Sequence, residues 1–183
     1  EKRMFMTRST NITAIRLTKI ALITAVVVVL GFLPPIPLGF IPVPIVLQNL
    51  GVMLAGVILG AKDGTISILL LFLIGIILPA FSGANTQGVL VGPTAGYVIA
   101  WLFVPALIAL GLAKLPKQSA IFQFVVIWLF GVLFIDAFGA IYLAVYSHMP
   151  ILKSLLANLA FIPGDTLKAI ITLIVANRLT KLK

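Results

Sequence analysis

Two charged residues three positions apart, Asp165 and Lys168, stand at the start of the last apolar segment of this 183-residue chain. Residues at i and i+3 share one face of a helix, so a carboxylate acceptor and an ammonium donor lie side by side there. A lone charge in apolar surroundings is costly, whereas a pair neutralises itself and still offers polar groups to a ligand. The spacing therefore indicates a binding site. Two other interpretations stay open: Pro163-Gly164-Asp165 is also typical of a helix start, and Lys168 could extend its ammonium to an aqueous surface.

Motifs for other chemistry are missing from the sequence. Gly56 to Asp63 reads GVILGAKD, which lacks the spacing and the hydroxyl of a phosphate-binding loop. The chain has no Cys and one His, which excludes thiolate and His-rich metal sites. We therefore expect no enzymatic activity, no cofactor and no metal, and a role in binding or transport instead.

The composition predicts the environment of the pair. Apolar residues make up 62% of the chain and charged residues 9%, against about 25% charged residues in a typical soluble domain. A chain of this size cannot bury that much apolar surface and keep a wettable exterior, which excludes an ordinary soluble or a disordered protein. The sequence predicts an all-α, multi-pass membrane protein with a single domain over residues 1–183.

Six membrane-spanning helices are predicted from charge-free segments that are long enough to cross a bilayer. Residues 64–113 carry no charge and are interrupted near residues 79–92, where Pro, Gly, Ser, Asn and Thr collect. Residues 20–61 are interrupted by the prolines between residues 34 and 44, which no helix tolerates. The first apolar stretch lacks a small-residue cleavage site, so we expect it to be retained. The predicted spans are 13–33, 44–61, 64–79, 93–113, 119–143 and 163–182, with a further short helix near 151–160.

The basic residues predict the orientation of these spans. With the N-terminus in the cytoplasm, 11 of the 13 Lys and Arg residues lie on the inner side, Lys153 lies in an outer loop and Lys168 lies within the sixth span. This bias predicts that both termini are cytoplasmic, and it explains the net charge of +9 without nucleic acid. The inner residues are Lys2, Arg3, Arg8, Arg16, Lys19, Lys62, Lys114, Lys117, Arg178, Lys181 and Lys183.

Polar side chains then collect near the outer ends of the spans, while the inner halves are almost purely apolar. Because polar groups are costly to bury in hydrocarbon, this distribution predicts a ligand pocket near the outer face. Individual members have alternative explanations, such as a solvated turn or freed backbone carbonyls near the prolines. The predicted ligand-binding residues are Asp165, Lys168, Asn85, Tyr97, Gln48, Gln87 and Thr94.

Asp136 lies in the outer half of the fifth span, and no basic residue lies within a helical turn of it. An isolated carboxylate at this depth finds a partner across the bundle, binds a ligand or is protonated. The sequence leaves these three explanations open.

Three sequence blocks carry a resemblance to a known family. Residues 43–50 read VPIVLQNL, residues 90–97 read LVGPTAGY and residues 161–168 read FIPGDTLK. In this order they resemble the BioY family, the biotin-binding S components of energy-coupling-factor (ECF) vitamin transporters, over nearly the whole chain. The chain departs from the family pattern in the loop 82–88, which reads SGANTQG, and at Ala95, which replaces a glycine.

The resemblance implies that the chain captures biotin at a prokaryotic cell membrane together with a transmembrane coupling subunit and two ATPase subunits. It also implies that Ala21 and Ala25 belong to the surface that docks on the coupling subunit, where small side chains permit close helix approach. The residue chemistry agrees with biotin: Asp165 can accept a ureido N–H, and Lys168 or Asn85 can donate to the ureido carbonyl.

Other functions stay open at this point. An S component for riboflavin or thiamine would differ in its ligand alone. A standalone proton-coupled transporter would use Asp136 or Asp165 as its proton carrier. A purely structural membrane subunit would bind no small molecule.

Overall fold

The computed structural model describes residues 2–114 and 119–181, with the side chains of residues 13–114 and 119–179. The regular elements of this part of the chain are helical, as the sequence predicts. They are α1 (Lys2–Gly31), α2 (Gln48–Ile74), α3 (Thr86–Leu90), α4 (Ala95–Trp101), α5 (Val104–Ala113), α6 (Ala120–Trp128), a π-helical turn (Leu129–Leu133), α7 (Phe134–Tyr146), α8 (Ile151–Asn158) and α9 (Ile162–Lys181).

A proline-rich segment separates α1 from α2 and confirms the predicted break in residues 20–61. Ile36 and Ile45 exchange two backbone hydrogen bonds, of 2.9 and 2.8 Å, which close the segment into a loop. The loop displaces the start of the second helix, which begins at Gln48 and not at the predicted residue 44. This segment forms part of the wall of the cavity described below.

Within α2 the chain turns back on itself at Gly60. Gly60 has φ +81° and ψ −173°, a conformation that favours glycine. A side chain at Gly64 would meet the carbonyl of Ala55, nine residues earlier, which a continuous helix would hold more than 10 Å away. The turn thus lies near the boundary between the predicted spans 44–61 and 64–79. Arg16 on α1 forms an ion pair of 2.5 Å with Asp63 beside this turn.

The predicted span 93–113 is bent, and a second bend joins the short helix predicted near residues 151–160 to the predicted span 163–182. α4 and α5 meet at 41°, and α8 and α9 meet at 53°. Pro105 stands in the first turn of α5, where its missing N–H costs nothing, so it marks the bend within the predicted span 93–113. α8 confirms the short helix predicted near residues 151–160.

Large apolar side chains cover those faces of the long helices that point away from the protein interior. Leu22, Leu73 and Ile121 are 63%, 60% and 74% exposed, which fits contact with lipid. By length and composition, three helices of the described residues could cross a bilayer, or up to five if each bent pair is one span. The two arms of α2 would bring the number to six, and this count remains a prediction.

The cytoplasmic placement of both termini also remains a prediction. It depends partly on basic residues that lie outside the described side chains, namely Lys2, Arg3, Arg8, Lys117, Lys181 and Lys183.

Candidate functional site

A cavity of about 280 Å³ lies among the proline-rich segment, the first turn of α2, the loop around α3, and the helices α4, α7 and α9. Apolar side chains such as Val43, Phe81 and Trp101 form much of its wall. Five of the seven predicted ligand-binding residues lie on this wall: Gln48, Thr94, Tyr97, Asp165 and Lys168.

Asp165 and Lys168 form a buried ion pair in the first turns of α9. The distance between Lys168 Nζ and Asp165 Oδ1 is 2.5 Å, and the two side chains are 5% and 4% exposed. Lys168 Nζ also donates to the carbonyl of Val46, at 2.7 Å, which ties α9 to the proline-rich segment. The ammonium therefore points into the protein and does not extend to the surface.

Asn49 and Trp101 extend this ion pair into a network. Asn49 Nδ2 donates to both carboxylate oxygens of Asp165, each at 3.2 Å. Asn49 Oδ1 in turn accepts a hydrogen bond of 2.9 Å from Trp101 Nε1. Neither Asn49 nor Trp101 is among the ligand-binding residues predicted from the sequence. The signal that could have found Asn49 is a second buried amide directly after Gln48 in an apolar helix.

Tyr97 is held in the cavity wall from two sides. Its hydroxyl donates to Asn158 Oδ1 on α8, at 2.5 Å, and its ring packs edge-on against Phe161 with the centroids 6.0 Å apart. Gly139 on α7 leaves room for this ring, because a side chain there would overlap it. Tyr97 is 7% exposed, so it belongs to the interior and not to an interfacial belt.

Gln48 lies on the cavity wall, and its amide also holds the fold together. Nε2 donates to the carbonyls of Val27 and Ala80, at 3.2 and 2.8 Å. These bonds satisfy backbone groups of α1 and of the loop before α3, in line with the alternative that the sequence left open. Gln48 therefore combines a structural role with a place on the wall.

The structure does not bring Asn85 and Gln87 to the cavity wall. Asn85 is the N-cap of α3, and its Oδ1 accepts the N–H of Gly88 at 2.8 Å. Gln87 is exposed on the same short helix. The loop contributes Ser82, Ala84 and Gly88 to the wall instead. The ligand-binding roles of Asn85 and Gln87 remain predictions.

Two polar groups on the wall lack partners. Asp136 on α7 is 5% exposed, and its Oδ2 makes no hydrogen bond. The Oγ of Ser82 is likewise buried and unpaired. Both residues line the same cavity, so its wall offers free hydrogen-bonding capacity in addition to the ion pair.

Ala21 and Ala25 lie one turn apart on the exposed side of α1, away from the cavity. Their small side chains leave a shallow strip where another helix can approach closely. Lys153 is exposed on α8 and is not part of the cavity wall. Among the residues that the structure describes, no three His, Cys, Asp or Glu side chains are grouped so that they could hold a metal ion.

This arrangement suits the binding of a small, partly apolar molecule with one polar end. Apolar walls take up the body of such a ligand, and a few fixed polar groups orient it. The ion pair is already held by Asn49 and Val46, so little rearrangement is needed when a ligand arrives.

Comparisons with known proteins agree with this description. A family model described as the BioY family matches residues 6–183. The chain is 51% identical over 172 residues to a biotin transporter BioY of Lactococcus lactis subsp. cremoris (strain MG1363), covering 90% of each chain. It is 35% identical over 175 residues to a biotin transporter BioY of Thermotoga maritima, covering 92% of this chain and 97% of the relative. Its fold resembles a crystal structure of the S-component for biotin from an ECF-type ABC transporter, with a TM-score of 0.90 and 47% identity over 93% of both chains.

Proposed function

The chain belongs to the BioY family, and we propose that it is a multi-pass membrane protein that captures biotin as the S component of an ECF-type ABC transporter. The observation that carries this proposal is the mostly apolar cavity of about 280 Å³ with a buried ion pair in its wall. An apolar cavity with few polar groups suits a ligand that has an apolar body and a polar group able to reach the ion pair.

The ion pair fits the ureido ring of biotin, which carries two N–H donors and one carbonyl acceptor. Lys168 has three N–H donors and uses two of them on Val46 and Asp165, so one is left for the ureido carbonyl. Asp165 Oδ2 accepts from Asn49 and has a further lone pair for one ureido N–H. The bicyclic body of biotin then lies against the apolar wall.

Uptake needs energy, and the sequence of this chain contains no phosphate-binding loop for ATP hydrolysis. We propose that the transmembrane coupling subunit and two ATPase subunits supply it, and that the chain has no catalytic activity of its own. Ala21 and Ala25 are the proposed contact with the coupling subunit, because they are exposed and their small side chains let a partner helix approach closely. This face is separate from the cavity, so ligand binding and docking can be tested separately.

Calorimetric titration of ligand-free protein in detergent tests the proposal. We expect saturable one-to-one binding of biotin, and none of riboflavin or thiamine at the same concentration. Asp165→Asn should weaken biotin binding at least tenfold, about 1.4 kcal/mol, because the amide keeps the shape and loses the charge. Thr172→Val is the matched control, since Thr172 lies one turn beyond Lys168 on α9 and outside the cavity wall. A folded, ligand-free wild type that gives no heat with biotin would refute the assignment.

A second measurement separates the carrier from a standalone proton-coupled transporter. Cells that produce the chain with its coupling and ATPase partners should accumulate biotin, and cells that produce the chain without them should not. Uptake that persists without the ATPases and collapses with a proton ionophore would contradict the proposal.

A further inference from the structure

The cavity wall contains a second carboxylate that the ion pair does not use. Asp136 is 5% exposed and its Oδ2 has no hydrogen-bond partner. Native proteins rarely leave such an atom unpaired, because an unsatisfied buried polar group costs about 1–3 kcal/mol. Among the buried side-chain nitrogen and oxygen atoms that the structure describes, those without a hydrogen-bond partner are Asp136 Oδ2 and Ser82 Oγ, and both residues line this cavity. Their shared location indicates that a ligand completes them.

A local change of helix geometry directs this carboxylate. The π-helical turn Leu129–Leu133 ends three residues before Asp136. A π turn adds one residue, which rotates the following helix by about 100° relative to a continuous α-helix. Such turns are frequent at functional sites. Because α9 packs against this same turn, Asp136 on α7 and Asp165 on α9 reach the cavity from neighbouring elements.

We infer that Asp136 binds the ligand directly, as the acceptor for the second ureido N–H of biotin, and thereby contributes to specificity. This inference rests on the proposed function. The two N–H groups of the ureido ring point away from each other, so a single carboxylate oxygen cannot accept both. Asp165 serves one N–H, and Asp136 has a free oxygen for the other.

The carboxylate end of biotin carries no N–H donor that Asp136 Oδ2 could accept. The neutral ureido end carries donors, and it is therefore the end of biotin that Asp136 can pair with. Ligands without a donor at this position should be rejected, because their binding leaves the carboxylate buried and unpaired.

Asp136→Leu tests the inference, because leucine has a similar size and carries neither oxygen. We expect biotin to bind at least tenfold more weakly in calorimetric titration. The ligand-free variant should unfold at the same temperature as the wild type or higher, because the buried, unpaired Oδ2 has been removed. Tyr142→Phe on the same helix is the control, since Tyr142 is not part of the cavity wall, and it should keep its affinity. Asp136→Ala gives the same comparison if the leucine variant fails to fold.

Biotin derivatives methylated at one or the other ureido nitrogen identify the contact. The derivative that lacks the N–H facing Asp136 should bind to the leucine variant and to the wild type with affinities that agree within about twofold. For biotin itself, the affinities of the two proteins should differ at least tenfold. If the loss of affinity from Asp136→Leu and the loss from methylation were additive for both derivatives, the inference would be overturned. Wild-type protein that binds biotin while both Asp136 variants bind it equally well would overturn this inference alone. A wild type that does not bind biotin would overturn the proposed function as well.

Discussion

Replacement of Lys168 by methionine separates the stability that the ion pair provides from its role in ligand binding. The two side chains are 5% and 4% exposed, with Nζ and Oδ1 2.5 Å apart. Removal of one partner of a buried ion pair costs about 3–5 kcal/mol, because the remaining charge is left uncompensated. In Lys168→Met the carboxylate of Asp165 would keep the amide of Asn49 and lose its cation. We therefore expect the ligand-free variant to be destabilised by about this amount.

The double variant Asp165→Leu/Lys168→Met should recover most of this loss. Replacement of a whole buried pair by apolar side chains of similar volume is often neutral or stabilising by about 1–4 kcal/mol. The amide of Asn49 would lose its acceptor, which costs about 1–3 kcal/mol and offsets that gain. The stability of the double variant should thus lie close to that of the wild type, while biotin binding is weakened at least tenfold in both variants.

Thermal unfolding in detergent without ligand, followed by calorimetric titration with biotin, measures both effects. A loss of 3–5 kcal/mol corresponds to an unfolding temperature roughly 6–20 °C lower for a chain of this size. Thr172→Val on the same helix serves as the control for the titration, because Thr172 lies outside the cavity wall. A single variant as stable as the wild type would refute the argument from burial. A double variant that binds biotin normally would show that the pair does not contact the ligand.

Three further results are expected. Tyr97→Phe should lose about 1 kcal/mol of stability, seen as a lower unfolding temperature, because its 2.5 Å hydrogen bond to α8 disappears; an unchanged temperature would contradict this. Gly139→Ala should cost about 1–3 kcal/mol and weaken biotin binding, because the added methyl group displaces the ring of Tyr97; normal titration of this variant would argue against Tyr97 as a wall residue. Ala21→Leu combined with Ala25→Leu should bind biotin normally and no longer co-purify with the coupling subunit, whereas exposed Ala120→Leu should retain both properties.

Much of the fold follows from local features of the sequence. The prolines between residues 34 and 44 predict a break because proline cannot continue a helix, and the structure has a loop there. The turn at Gly60 lies at the predicted boundary between the spans 44–61 and 64–79, where the charged residues Lys62 and Asp63 interrupt the apolar sequence. The bend before Pro105 is harder to predict, since the surrounding residues are apolar and suit a continuous helix equally well. Pro105 packs so closely on the two arms of α2 that a side chain at Gly56 or Gly64 would meet it, a contact that only the folded chain reveals.

In the site as well, contacts between residues close in sequence could be predicted, whereas contacts between distant residues could not. Asp165 and Lys168 are three residues apart, so their helical spacing alone predicts that they meet. Asn49 lies 116 residues from Asp165 and 52 residues from Trp101, so only the folded chain reveals this network. Polarity alone made Asn85 a candidate, yet its side chain caps α3. Of two asparagines, Asn85 therefore caps a helix and Asn49 contributes to the cavity wall, a difference that polarity alone does not predict.

The division between paired and unpaired polar groups explains how such a cavity can bind a ligand tightly. Asp165 is held by Asn49 and Lys168, so it does not need to be immobilised when the ligand arrives. Each flexible side chain that is already ordered saves about 0.5–1.5 kcal/mol on binding. Asp136 and Ser82 have the opposite property. Their unpaired atoms destabilise the ligand-free protein, and a ligand that supplies hydrogen-bond partners removes this destabilisation. Biotin should therefore raise the unfolding temperature of the wild type more than that of Asp136→Leu, because only the wild type has an unpaired oxygen at residue 136 that biotin can satisfy.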